Sequence, residues 1–213
     1  MTISRGTRAL ATSAALMVAM TSCAGEPKPG AAKTSNSASP EPTTAASDPP
    51  PTPTSSPSSD TEVAASAAAR AVRDYYATVD QVRQRPRVPL ARLSAVSTSV
   101  ELSSLETLIG GQRGKSQRQT GNTRIVELEV QSVNLDNSDP KAGKVPTAQV
   151  DVCWDVSKVD VVDAHGQSIV NPSRPDSGWS RLTVANYRYK HNPTGGWRVA
   201  TSQDLTRSPC VPS

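Results

Sequence analysis

Apolar positions follow three different rhythms along this chain. Residues 9–20 form a largely apolar run that carries no charge. From Ser59 to about Gly110, apolar residues recur every three or four positions, and from Asn122 onward they recur every second position. Between the first and second regimes, residues 24–60 hold almost no large apolar side chain. A period near 3.6 predicts helices with one buried face, and a period of two predicts strands with one buried face.

The helical regime opens with Ser59 and Glu62 at capping-box spacing, followed by Val72, Tyr75, Tyr76, Val79 and Val82 on one face, with Pro86 as the stop. Residues 64–71 are mostly alanine, good helix formers that let another element approach closely. A second short helix is predicted from Pro89 through Leu93, Val96 and Val100. Thr98 and Glu101 repeat the capping-box spacing ahead of Leu102, Leu105, Leu108 and Ile109, so a third helix is expected to end at Gly110-Gly111.

In the strand regime, Ile125, Glu127, Glu129 and Gln131 alternate with Val126, Leu128, Val130 and Val133. The next strand, residues 147–156, sends Ala148, Val150, Val152 and Trp154 to the core, and Gln149, Asp151, Cys153 and Asp155 outward. Val159–Val162 reads as a strand turning at residues 163–166 and returning through Ser168-Ile169-Val170. Residues 171–178 are a loop, 179–190 a long strand, 191–196 a turn and 197–203 the last strand. Three helices followed by a curled antiparallel sheet of four to six strands make an α+β domain.

Composition changes this picture at the N-terminus. Arg5 and Arg8 precede the apolar run, which is too short for the ~20 residues a membrane-spanning helix needs, and Thr21-Ser22-Cys23 follow it. This is the layout of an export signal. Met20-Thr21-Ser22-Cys23 resembles the lipobox of bacterial lipoproteins, which implies removal of residues 1–22 and acylation, including palmitate, at Cys23. The membrane partner would then be the bilayer itself, held through the acyl chains on Cys23, since two chains suffice for stable anchoring. An ordinary secretory signal with Cys23 incidental is the alternative. Residues 23–60 carry half of the 18 prolines among Ser, Thr and Ala, and read as a disordered tether reaching roughly 110 Å in polyproline II or 35 Å as a coil. Residues 61–213 are the folded domain, long enough for a core of their own.

Once Cys23 is assigned to lipid, Cys153 and Cys210 remain as an even pair outside the cytoplasm, and a disulfide between them is expected on the outer side of the sheet. His165 and His191 fall in turns and share no ligand spacing with either cysteine, so neither metal nor cofactor is expected. The charge of +4 is too sparse for nucleic-acid binding. Gly110-Gly111-Gln112-Arg113-Gly114-Lys115-Ser116 lacks the spacing and the preceding strand of a phosphate loop. Its bases, with Arg118 and Arg124, are solvated charge, or alternatively a docking patch for anionic lipid or wall polymer. With no Phe in the chain, Tyr75, Tyr76, Trp154, Trp179, Tyr187 and Trp197 are candidate lining for a cavity, and core packing is the alternative for each.

A long first helix carrying Asp74-Tyr75-Tyr76, short helices after it, and strands ending in Gly195-Gly196-Trp197-Arg198-Val199 resemble the NTF2-like (SnoaL-like) cone. They resemble in style lipoproteins of high-GC Gram-positive bacteria and, more loosely, Mce-associated membrane proteins. That resemblance implies a curved sheet under helices enclosing a conical cavity, used in some members for catalysis and in others for ligands or subunit contacts. No histidine, serine elbow or paired carboxylate is placed inside such a cone here, so no catalytic residue is assigned, and Asp151 and Asp155 are expected to be solvated. Two functions are expected: a non-catalytic interaction module contacting an envelope protein, or a binder of a small apolar or lipid-like ligand. An NTF2-like hydrolase or isomerase is the minor alternative.

Overall fold

The computed structural model describes residues 59–208 and 210. The signal peptide, Cys23 and the tether up to residue 58 lie outside the described residues. Helix α1 spans Asp60–Gln84. Its capping box is complete: the Ser59 hydroxyl accepts from the Glu62 amide at 3.2 Å, and the Ser59 amide donates to the Glu62 carboxylate at 2.8 Å. Asp60 and Glu62 also oppose the positive end of the helix dipole. Ala64, Ala67, Ala68, Val72, Tyr75, Val79 and Val82 are buried along one face.

The second predicted helix is a 3₁₀ segment, Leu90–Ala95, whose Leu93 is fully buried. Helix α2 spans Ser99–Gly114 and runs through Gly110-Gly111, beyond its expected end. Those glycines keep negative φ, and the chain instead turns at Ser116, which takes φ 56°. The capping box expected at Thr98 and Glu101 does not form. The Thr98 amide donates to the Val199 carbonyl at 2.8 Å, and the Glu101 carboxylate accepts from the Tyr75 hydroxyl. Both partners of the box are therefore already engaged.

Strands β1 (Arg118–Thr120) and β4 (Asp160–Val162) form a two-stranded sheet. Sequence alone placed β1 in a basic turn. Strands β2 (Arg124–Asn134), β3 (Thr147–Asp155), β5 (Ser177–Ala185) and β6 (Arg198–Leu205) form an antiparallel four-stranded sheet in the order β2-β3-β5-β6. It is open, with β2 and β6 at its edges. The Ser168-Ile169-Val170 return strand reduces to an isolated bridge between Val162 and Ser168.

Two register breaks in β2, at Ile125/Glu127 and Val130/Ser132, correct the predicted alternation. A bulge shifts the phase by one residue, so Ile125 packs on the core beside Leu128, Val130 and Val133 instead of facing out with Glu127. Strand β5 stops at Ala185, five residues before its expected end. Fully buried Asn186 turns the chain there: its Nδ2 donates to the Asn192 carbonyl at 2.8 Å, and its Oδ1 accepts from the Arg188 amide at 2.9 Å. Gly196 is required beside it, because a Cβ would lie 2.2 Å from Asn186 Oδ1.

The main core lies between α1 and one face of the sheet, where Val150, Val152, Leu182, Val184 and Val199 are all at 0% exposure. Deleting the side chain of a residue packed like Leu182 costs about 3 kcal/mol, lost transfer energy plus cavity. Arg113, read from sequence as part of a basic patch, donates Nη2 to the Val82 and Val88 carbonyls at 2.8 Å each and so caps the end of α1.

Candidate functional site

On the face of the sheet away from the helices, cross-strand register sets Glu129, Asp151, Arg181 and Gln203 in one row and Glu127, Cys153, Trp179 and Leu205 in the next. Period-two logic assigned this face to solvent. Asp151 is instead at 0% exposure and Asp155 at 7%, correcting the expectation that both carboxylates are solvated. The cover comes from Arg207 and Cys210. Arg207 follows β6, places its guanidinium 5.0 Å from the centroid of the Trp179 ring, and donates Nη2 to Asp151 Oδ2 at 2.7 Å.

Arg181 reaches the same carboxylate from β5, with Nε 2.6 Å from Oδ1 and Nη2 2.8 Å from Oδ2. The Arg181 hydrogen bonds hold the Asp151 carboxyl below its ordinary range against the opposing effect of burial. Asp155 is pushed down to about 2, first by the Ser157 amide, then by the Ser157 hydroxyl and Arg124. Both aspartates act as counter-ions and not as an acid and base pair. Cys153 and Cys210 lie at disulfide distance on this outer face, with Cα atoms 6.0 Å apart.

A cleft of about 620 Å³ opens where the end of β3, the start of β5 and the end of β6 meet the middle of α1. Tyr76 lines it from α1, Trp154 and Val156 from β3 and its extension, Pro175 from the loop before β5, and Leu205 from β6. Gly178 lets the Trp154 indole lie against the β5 backbone; a Cβ there would meet the ring at 2.6 Å. The indole Nε1 donates to Ser180 Oγ at 3.0 Å, and that hydroxyl donates to Asp204 Oδ1 at 2.9 Å. The indole is therefore fixed in orientation by a relay running across three strands. Burial, followed by the Glu101 and Asp204 carboxylates, pushes the Tyr76 phenol well above its ordinary range, so it stays neutral.

Of the six aromatic residues singled out by sequence, Tyr76, Trp154 and Trp179 line this cleft. The other three lie elsewhere. Tyr75 is buried in the core and donates its hydroxyl to Glu101; burial and then Glu101 push its phenol up as well. Tyr187 sits in the turn after β5 and is 53% exposed. Trp197 is buried against Tyr189, donates Nε1 to the Pro193 carbonyl at 2.7 Å, and borders a separate pocket of about 130 Å³. Both histidines are exposed in turns. Among the described residues, no cluster of three His, Cys, Asp or Glu side chains is arranged to hold a metal.

Sequence reasoning missed Asp80, which α1 buries at 4% exposure. It accepts from Gln119 Nε2 at 2.6 Å, from the Thr123 amide at 2.7 Å and from the Thr123 hydroxyl at 3.0 Å, and so ties β1 and the start of β2 to α1. Its only sequence signal is an acidic residue one position after Val79 on a face that is otherwise apolar.

No protein-family model matches this chain, and no curated protein matches it. Among solved structures, the intermembrane space region of chloroplast protein ARC6 superposes with a TM-score of 0.46 at 13% identity, covering 66% of this chain and 95% of that one. A periplasmic fragment of TraM gives a TM-score of 0.38 at 13% identity, covering 67% and 95%. Both scores are below 0.5 and carry no conclusion about this chain. Among the described residues, no helix is long and apolar enough to cross a membrane.

Proposed function

We propose that this chain is an envelope lipoprotein, anchored outside the cytoplasm through acyl chains on Cys23, whose folded domain is a non-catalytic binding module built as an NTF2-like cone. Its cleft takes a small, largely apolar molecule. One observation carries this reading. The cleft presents a fixed indole, a neutral phenol, proline and aliphatic side chains, while the buried carboxylates nearby are saturated by structural partners. Such a surface holds a molecule, and the carboxylate that lines it, Asp204, is engaged by the Ser180 hydroxyl at the end of the indole relay.

Contact with another envelope protein is the second reading, favoured by the solvent face of α2. That face exposes Val100 at 65% and Leu108 at 50%, with Ser103, Ser104 and Thr107 between them and no charged side chain. Native mass spectrometry of the full chain purified from membranes separates the readings. A bound small molecule supports the cleft, and a stoichiometric protein partner with an empty cleft supports the interaction module. Turnover in a broad hydrolase or isomerase screen would end both. For the anchor, Cys23→Ser is expected to move the protein out of the membrane fraction, and its retention there would refute lipidation.

A further inference from the structure

The cleft has one polar corner. Arg174, in the loop before β5, lines it and donates Nη2 to the Val156 and Val159 carbonyls at 3.0 Å each. Those bonds fix one edge of the guanidinium. Its Nε is buried and has no hydrogen-bond partner among the described residues. Asp176, 69% exposed, approaches only to 3.9 Å.

A buried guanidinium donor without an acceptor costs free energy, which an anion held beside it offsets. Asp204, on β6 beside Ser180 and Tyr76, would repel an anion from its own part of the cleft.

We infer that the cleft binds an amphipathic anion, with a carboxylate or phosphate head at the Arg174 guanidinium and an apolar body against Trp154, Tyr76, Val156 and Pro175. This deepens the ligand-binding reading above and rests on it. A volume of about 620 Å³ falls within the range that holds one drug-sized molecule or a single medium-length chain, roughly 300–1,000 Å³.

Calorimetric titration of the full chain with soluble C12 probes tests it: dodecanoate, dodecyl phosphate, dodecanol and dodecylamine, with acetate and inorganic phosphate as heads without a body. The two anionic chains are expected to bind at least about tenfold more tightly than dodecanol, the size of a charge-assisted hydrogen-bond pair. Their ranking distinguishes a fatty-acid source from a phospholipid-type source. Arg174→Gln is expected to bring dodecanoate and dodecyl phosphate down to the affinity of dodecanol. Arg174→Lys, which keeps the charge, is expected to retain part of the preference and covers the case in which Arg174→Gln disturbs the loop.

Equal binding of dodecanol and dodecanoate, or a preference for dodecylamine, would overturn the anionic head while leaving a ligand cleft in place. Inorganic phosphate binding as tightly as dodecyl phosphate would overturn the amphipath. No binding by any chain, together with a bound protein partner from membranes, would overturn the cleft reading itself.

Discussion

Asp151 stays ionised out of contact with water because Arg181 and Arg207 reach it from two elements. Removing its charge leaves two guanidiniums facing an amide. Asp151→Asn is expected to destabilise the fold by about 2 kcal/mol in urea unfolding, below the full penalty for breaking a buried pair, because both arginines remain about one-third exposed. Asp151 and Asp155 also set an acid limit. Their folded-state pKa values lie below the ordinary 3.8, so the stability they contribute is complete above that value and is lost as pH falls through each folded value, which for Asp155 is about 2. The urea midpoint is expected to be level down to about pH 4 and to drop by pH 2, with Asp155→Asn removing part of the drop. These residues mark where sequence reading fails at this scale. Alternation correctly put Asp151 on the face away from the helices, but it carries no information about a tail folding back over that face. Asp80 fails for the opposite reason, since an acidic residue on an apolar helix face becomes readable only once Gln119 and Thr123 are seen around it.

Among the elements, the span of α1 was legible because cap, period and proline stop all agree. Strand β2 was found, but its inward set was not, since bulges at two points reset a phase that sequence alternation assumes constant. Helix α2 outran its glycines because neither adopts the left-handed turn that would end it. Two glycine substitutions separate conformational need from tolerance. Gly121 joins β1 to β2 at φ +71°, where a Cβ would meet the Lys158 carbonyl at 1.8 Å. Gly121→Ala is expected to cost more than about 2 kcal/mol, since both φ and space oppose it. Gly111 sits in α2 with nothing within 4 Å of a Cβ, so Gly111→Ala is expected to stabilise by about 0.5–1 kcal/mol, read as a raised melting temperature. Unchanged stability in the first variant, or a loss in the second, would show these assignments to be wrong.

For the molecule as a whole, the α+β class and the strand-rich C-terminal half followed from sequence, and half of the aromatic candidates converge on one cleft. Tyr75, Tyr187 and Trp197 went elsewhere because helix azimuth and strand length, which decide where an aromatic ring points, are fixed by packing beyond the reach of local pattern. The Cys153 and Cys210 positions, 57 residues apart in sequence, bring the tail to disulfide distance of β3. Cys210→Ser is expected to lower unfolding free energy by about 4 kcal/mol if the two are bonded in the mature protein, as the entropy of a closed loop of that length predicts. Mass spectrometry of the oxidised chain should find the pair 2 Da lighter than the dithiol, and two free thiols would refute the bond.

One guanidinium, that of Arg207, serves both the Asp151 carboxylate and the Trp179 ring. Any motion that lifts it away therefore bares a charge and an indole at once, so the stretch after β6 and the outer surface of β3 and β5 open together or stay shut together.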